Sequence, residues 1–197
     1  MDLIASIRHN LAGLGRFSGR DRPGQFWPYA ILLFLLSIVA AVAVIVPAMI
    51  DMLVRIQRFV IEHPEGLPPP SDPYDPAAAP LPPELMPDFS GTALPMAAVN
   101  LVFVLLLAAA VVRRLHDADR TGWWALLPVP FMAVGAASWE SAMAMSAGAP
   151  MAADPATMLL MLNSLFYWVA AIALVVMLVQ AGTPGPNRYG PPPYVST

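Results

Sequence analysis

The residues with chemical potential crowd into one short stretch, Val112-Arg-Arg-Leu-His-Asp-Ala-Asp-Arg-Thr-Gly-Trp-Trp124. His116 beside Asp117 has the makings of a general base. His116 with Asp117 and Asp119 offers donors to a divalent metal, but one imidazole and two carboxylates without fixed helical spacing are a poor ligand set. Arg113, Arg114 and Arg120, with Arg20 and Arg22 upstream, suit anionic lipid headgroups, at about 1 kcal/mol for each cation near the surface. A purely structural reading also covers every residue. The two adjacent arginines close an apolar run, where the negative end of a helix dipole favours cations. Thr121 or Asp119 can cap the next helix, Gly122 supplies a bend, and Trp123-Trp124 suit the headgroup level. The structural reading needs the fewest assumptions, and lipid contact needs the fewest among the functional ones.

The rest of the chain adds no chemical partner. There is no Cys, hence no thiolate and no Cys-based metal site. A P-loop, a Gly-rich dinucleotide fingerprint, G-x-S-x-G and H-E-x-x-H are all missing. No catalytic residue, no cofactor and no metal site is therefore expected. The expected partners are the bilayer and its anionic headgroups, not nucleic acid. His9 and His63 stand apart from other donors and are expected to be solvated.

The elements that must position the charged stretch follow from composition. Of 197 residues, 58% are hydrophobic and 12% charged, with a mean hydropathy of +0.64. Soluble domains carry about 25% charged residues, so this chain reads as an integral membrane domain. No cleavable signal peptide is expected, because Met1–Phe17 lacks the apolar core of one. That segment instead spaces Leu3, Ile4, Ile7, Leu11 and Leu14 as one face of a short helix lying at the membrane surface. Gly19, Pro23 and Gly24 are expected to break any helix there.

Four apolar runs follow, at about 26–50, 93–112, 123–139 and 156–181, and about 20 apolar residues span a bilayer core. The first is expected to continue as an amphipathic extension from Asp51 to His63, with Asp51/Arg55 and Arg58/Glu62 as i,i+4 pairs. Residues 64–95 carry a proline every few positions and form an extended, acidic loop outside the membrane. Asn100 is expected to bond across to a neighbouring helix. The third run is expected to end near Glu140, since a carboxylate at membrane depth is expensive. Asp154-Pro155 reads as the cap and first residue of the fourth run. Residues 182–197 form a Pro/Gly tail. The fold class is thus all-α: a bundle of four transmembrane helices, preceded by an N-terminal segment (residues 1–25) that carries an interfacial amphipathic helix.

Charge sets the orientation. All ten basic residues are Arg. Eight of them (Arg8, Arg16, Arg20, Arg22, Arg113, Arg114, Arg120 and Arg188) fall in the N-terminal segment, the central stretch and the tail. The positive-inside rule puts those three segments, and both termini, in the cytoplasm of a bacterial inner membrane.

Three segments together resemble a known family. They are Phe17-Ser-Gly-Arg-Asp-Arg-Pro-Gly-Gln-Phe-Trp27, Arg113-Arg-Leu-His-Asp-Ala-Asp-Arg-Thr-Gly-Trp-Trp124 and Gly185-Pro-Asn-Arg-Tyr-Gly-Pro191. The chain is similar to the DUF805 family of small bacterial inner-membrane proteins, whose pattern is F-x-G-R-x-x-R-x-E-F-W, R-R-L-H-D-x-x-R-S-G-W-W and N-x-Y/F-G-x-D-P. The family's acidic residue before Phe-Trp is Gln25 here, and its C-terminal acidic position is Pro192. The resemblance covers all but the Pro-rich loop. It implies no known activity. It does imply that Arg20, Arg113, Arg114, His116, Asp117, Arg120, Asn187 and Tyr189 gather on one cytoplasmic face. Packing of Asn187 and Tyr189 against Arg113–Arg120 would compose such a cluster.

The expected function is that of a non-enzymatic inner-membrane protein, a lipid-contacting or protein-interaction module. Two alternatives stay open. A small transporter or channel subunit would use Asn100, Glu140, Asn163 and Ser164. A membrane enzyme at the headgroup layer would use His116 and Asp117.

Overall fold

The computed structural model describes residues 2–64, 82, 85–139, 141–142 and 155–193. Glu140, residues 65–81 of the Pro-rich loop and the Asp154 cap lie outside the described residues. Among those described, regular structure is helical apart from one isolated bridge between Asn187 and Gly190.

Helix α1 (Leu3–Ala12) opens on Asp2, whose carboxylate accepts the Ala5 N–H at 2.7 Å. Its polar stripe turns inward. Ser6 Oγ and Asn10 Nδ2 both donate to the carbonyl of Gln25, at 2.6 and 2.8 Å. Leu3, Ile4 and Leu11 are left exposed.

Helix α2 (Pro23–Glu62) corrects the expected break at Pro23 and Gly24. Pro23 is its first residue, where a missing N–H costs nothing and the fixed φ already suits a helix. Gln25 Oε1 accepts the Arg22 N–H at 3.1 Å, so the amide fills the capping role open to an acid at that position. The helix passes through Pro28 and Pro47 and carries the expected extension. At 1.5 Å per residue its 40 residues reach about 60 Å, twice a bilayer core. Asp51 and Arg55 pair at 3.1 Å. Arg58 and Glu62 form no such pair.

Helix α3 (Ala93–Asp117) runs five residues beyond the expected end at 112, so most of the charged stretch is helix. The turn proper is only Ala118–Thr121. Asn100 does not reach a neighbour; it donates to the Met96 carbonyl of its own helix at 3.0 Å. The cross-helix amide is Asn163, donating to the Phe131 carbonyl at 3.2 Å.

The third run is not one helix. It is a 3-10 segment, Gly122–Leu126, followed by α4 (Val129–Ala137). Pro128 and Pro130 explain the interruption, because each removes a backbone donor. Neither Thr121 nor Asp119 caps it by a side-chain bond. Helix α5 (Pro155–Val179) completes the order. Three helices, α2, α3 and α5, are long and apolar enough to cross a membrane.

The core cluster of Phe26, Tyr29, Leu33, Ala110, Leu115 and Leu178 lies where the start of α2 meets the ends of α3 and α5. Tyr29 donates its hydroxyl to the Leu106 carbonyl at 3.0 Å, locking α2 to α3. On the other face of α2, Ile31, Phe34, Leu35 and Val39 are exposed, the pattern of a lipid-facing helix.

Candidate functional site

The polar residues converge at the end of the bundle where α3 stops. Adjacent residues on a helix point about 100° apart. Arg113 therefore reaches toward α1, while Arg114 reaches toward α5.

Arg113 Nε donates to Asp21 Oδ2 at 2.7 Å. Its Nη1 donates to the carbonyls of Gly13 and Arg16 at 2.8 and 2.7 Å, and its Nη2 to Asn10 Oδ1 at 2.9 Å. Gly13 ends α1, so this guanidinium caps the negative end of that helix. The other oxygen of Asp21 lies 2.8 Å from His9 Nε2.

Arg114 Nη1 donates to Asp117 Oδ2, one helical turn on, and its Nε and Nη2 donate to the carbonyls of Leu178 and Gln180. It caps α5 as Arg113 caps α1. Asp117 Oδ1 accepts Arg20 Nε and Nη2 at 3.1 and 3.0 Å, a planar fork on one oxygen. Further donors of Arg20 reach the Thr183 and Gly185 carbonyls at 2.7 and 2.8 Å. The side chains of Arg20, Asp21, Arg113, Arg114 and Asp117 are each at most 1% exposed. Three guanidiniums thus face two carboxylates without solvent, and carbonyls at the ends of α1 and α5 absorb the excess positive charge.

The tail completes the arrangement by covering the end of α3. Asp119 holds a left-handed conformation (φ 56), with Asp119 N–H on the His116 carbonyl and Arg120 N–H on that of Leu115. This is the Schellman turn, with Asp where Gly is usual. Thr183 N–H donates to the Asp117 carbonyl at 2.9 Å, and Asn187 Nδ2 to that of His116 at 2.9 Å. The Tyr189 ring stacks on His116 at 3.7 Å and 7°. Arg188 pairs with Asp119 at the surface, at 3.2 Å. Gly182 passes so close to Asp117 that an added Cβ would overlap the carboxylate, 2.1 Å from Oδ2.

All eight residues singled out in the sequence therefore share one cluster. Arg20, Arg113, Arg114 and Asp117 form its interior. His116, Asn187 and Tyr189 form its tail-facing side. Arg120 lies at the rim, with Nε on Gln180 Oε1 at 3.0 Å. Two expectations need correction. His9 is not solvated but bonded to Asp21. Arg20, Arg113 and Arg114 are buried, so headgroups do not reach them. Asp117 is held by two arginines, and His116 Nδ1 lies 3.2 Å from the Gly19 carbonyl. Among the described residues, no three His or acidic side chains group as a metal would need. Sequence reasoning missed Asp21, Ser6, Asn10, Thr183 and Gly182. Asp21 had a signal: it sits beside Arg20 inside the first motif, opposite in sign to its neighbours.

Geometry and composition define a helical membrane protein whose N-terminal segment and tail are clasped to the end of a central helix by buried ion pairs. The chain belongs to the DUF805 family, described as a protein of unknown function, whose model matches residues 14–191. It is similar to "Inner membrane protein YhaH" of Escherichia coli strain K12, 33% identical over 82 residues, which is 41% of this chain and 37% of that protein. The same figures hold for the protein of that name from E. coli O157:H7. The match spans 37% of the length of these curated relatives. No solved structure matches the chain.

Proposed function

We propose that this protein is a non-enzymatic, multi-pass inner-membrane interaction module, with a rigid cytoplasmic platform that contacts anionic lipid headgroups. One observation carries the reading: Asp117 is fully buried, with one oxygen held by Arg20 and the other by Arg114. The carboxylate best placed for chemistry is committed to joining three segments. The cations left around the clasp are Arg8, Arg16, Arg22, Arg120 and Arg188, all exposed or half-exposed. They stand near the exposed apolar face of α1 and the exposed Phe17 and Trp123, a combination suited to a headgroup layer.

The clasp faces the cytoplasm in this reading, since eight of the ten arginines lie in the segments it joins. A parity argument favours a fourth crossing. The start of α2 and the ends of α3 and α5 meet at the clasp, so the chain must travel to the far side between α3 and α5. Gly122–Ala137 would carry it there. Sixteen residues of α-helix reach only about 24 Å, but 3-10 stretches rise about 2 Å per residue and lengthen the path.

The test uses nanodiscs of mixed phosphatidylcholine and phosphatidylglycerol, with native mass spectrometry of retained lipid. Substituting Arg8, Arg16 and Arg188 with Ala should lower retained phosphatidylglycerol by roughly fivefold per cation, as about 1 kcal/mol each implies. Unchanged retention would refute headgroup contact. A reporter fused to the tail and reading out on the periplasmic side would refute the orientation.

A further inference from the structure

The half of the bundle away from the clasp holds a recess that the clasp does not explain. It has a volume of about 460 Å³ and lies between the first half of α3, α4 and the first half of α5. A second recess of about 280 Å³ shares Gly135, Ala142, Asn163 and Ser164 with it. Cavities of about 300–1,000 Å³ are the size that holds small ligands. Gly135 and the alanines beside it leave the space, and Leu101, Met132 and Phe131 make the wall apolar.

Polar groups sit inside this apolar wall. Asn100 and Asn163 spend their NH2 groups on the carbonyls of Met96 and Phe131, and among the described residues no donor reaches either side-chain oxygen. The hydroxyls of Ser164 and Tyr167, which also line the recess, have no hydrogen-bond partner among the described residues. Asn100 is seven residues into α3 and Asn163 eight residues into α5, so both lie about 10–12 Å from the helix ends, within the bilayer core. Polar groups left unpaired in hydrocarbon are costly, and nature seldom leaves several together. Among the described residues, no charged side chain lines either recess.

We propose that this recess binds a neutral, hydroxyl-bearing lipid. Its hydroxyl would donate to Asn100 or Asn163 and accept from Ser164 or Tyr167. Its chains would fill the apolar lobes on either side of the shared Asn163–Ser164 junction. The uncharged lining among the described residues argues against a phospholipid headgroup, which the rim arginines at the opposite end suit better. A partner helix, about 10 Å across, does not fit a recess walled by three elements. This inference does not rest on the clasp or on its orientation.

The experiment photolabels the full-length protein in phosphatidylcholine nanodiscs with a diazirine-bearing diacylglycerol and maps labelled peptides by mass spectrometry. Label should concentrate on residues 93–104, 129–139 and 160–167. Unlabelled diacylglycerol should compete, and its O-methyl ether should not. Ser164→Ala, which breaks no contact, combined with Asn100→Leu should reduce labelling at least about fivefold, the worth of one lost hydrogen bond. Gly135→Leu should abolish it by filling the space. The proposal is overturned if label spreads evenly onto the lipid face of α2 around Phe34 and Val39. It is equally overturned if a diazirine phosphatidylcholine labels the recess as well, or if Ser164→Ala with Asn100→Leu changes nothing.

Discussion

Asp117→Asn isolates the clasp, because it changes one charge and almost no volume. The carboxylate accepts from Arg20 on one oxygen and from Arg114 on the other. An amide keeps one acceptor and turns an NH2 toward the remaining guanidinium, which has only donors to offer. One buried guanidinium then faces an amide NH2 in place of a carboxylate oxygen. Removing one partner of a buried pair costs about 3–5 kcal/mol. For a chain of this size each kcal/mol moves the midpoint by about 2–4 °C, so a fall of roughly 6–20 °C is expected. Thermal unfolding in detergent, followed by fluorescence-detected gel filtration, reads this directly. Limited trypsin digestion supplies a local readout, since loosening of the tail should speed cleavage after the exposed Arg188. Asp119→Asn is the matched control. It removes the same charge from a pair whose side chains are 55% and 47% exposed, where the median contribution is only about 0–1 kcal/mol. If Asp117→Asn unfolds within about 2 °C of Asp119→Asn, the ion pairs do not hold the segments together and the argument built on them fails.

Gly182→Ala should loosen the tail without changing any charge, because its Cβ has no room beside Asp117; faster trypsin cleavage after Arg188, with the rest of the chain intact, is the readout. Arg113→Lys should lower the midpoint by several degrees, since a single ammonium cannot reproduce a fork that serves Asp21, Asn10 and two carbonyls. Tyr189→Leu keeps an apolar cover but loses the parallel ring stack on His116, so a small drop is expected, about 0.5–1.5 kcal/mol at most, measured by the same unfolding assay. Asn10→Ala should cost more than a surface change, about 1–3 kcal/mol, because it strands the buried Arg113 Nη2 donor that Asn10 Oδ1 now accepts and leaves Ser6 Oγ as the side-chain donor to the Gln25 carbonyl.

The sequence carried the membrane class and the place of the long apolar helices plainly, because unbroken hydrophobic runs are a local signal. It also marked the eight clustered residues, through three motifs whose spacing repeats a family pattern. It could not say what those residues do to one another. Arg113 and Asp21 are 92 positions apart, and Arg20 and Asp117 97, so their pairing depends on how helices pack. Cations at a helix end look alike in sequence whether they face headgroups or a buried carboxylate, and this is why the lipid reading of Arg20, Arg113 and Arg114 fails. The third run misled for a related reason. Its hydropathy matched a span, while Pro128 and Pro130 carried the contrary backbone information. Asn100 and Asn163 look equivalent as lone amides in apolar runs, yet only Asn163 bonds across to another element.

Buried charge is ordinarily a poor source of stability, since desolvation offsets most of the attraction. Here the location changes the balance. The clasp sits where α1, α3 and α5 all end, so each guanidinium meets backbone carbonyls that have no helical partner of their own. Those carbonyls would need donors in any case, and at the edge of a bilayer water is a less dependable one. Arg113 and Arg114 therefore satisfy helix ends first and carboxylates second. The same contacts bring Asp21 and Thr183, from opposite ends of the chain, to the end of α3. In the orientation proposed above, the arginines whose charge biases which side they stay on are also the ones that hold these three segments together.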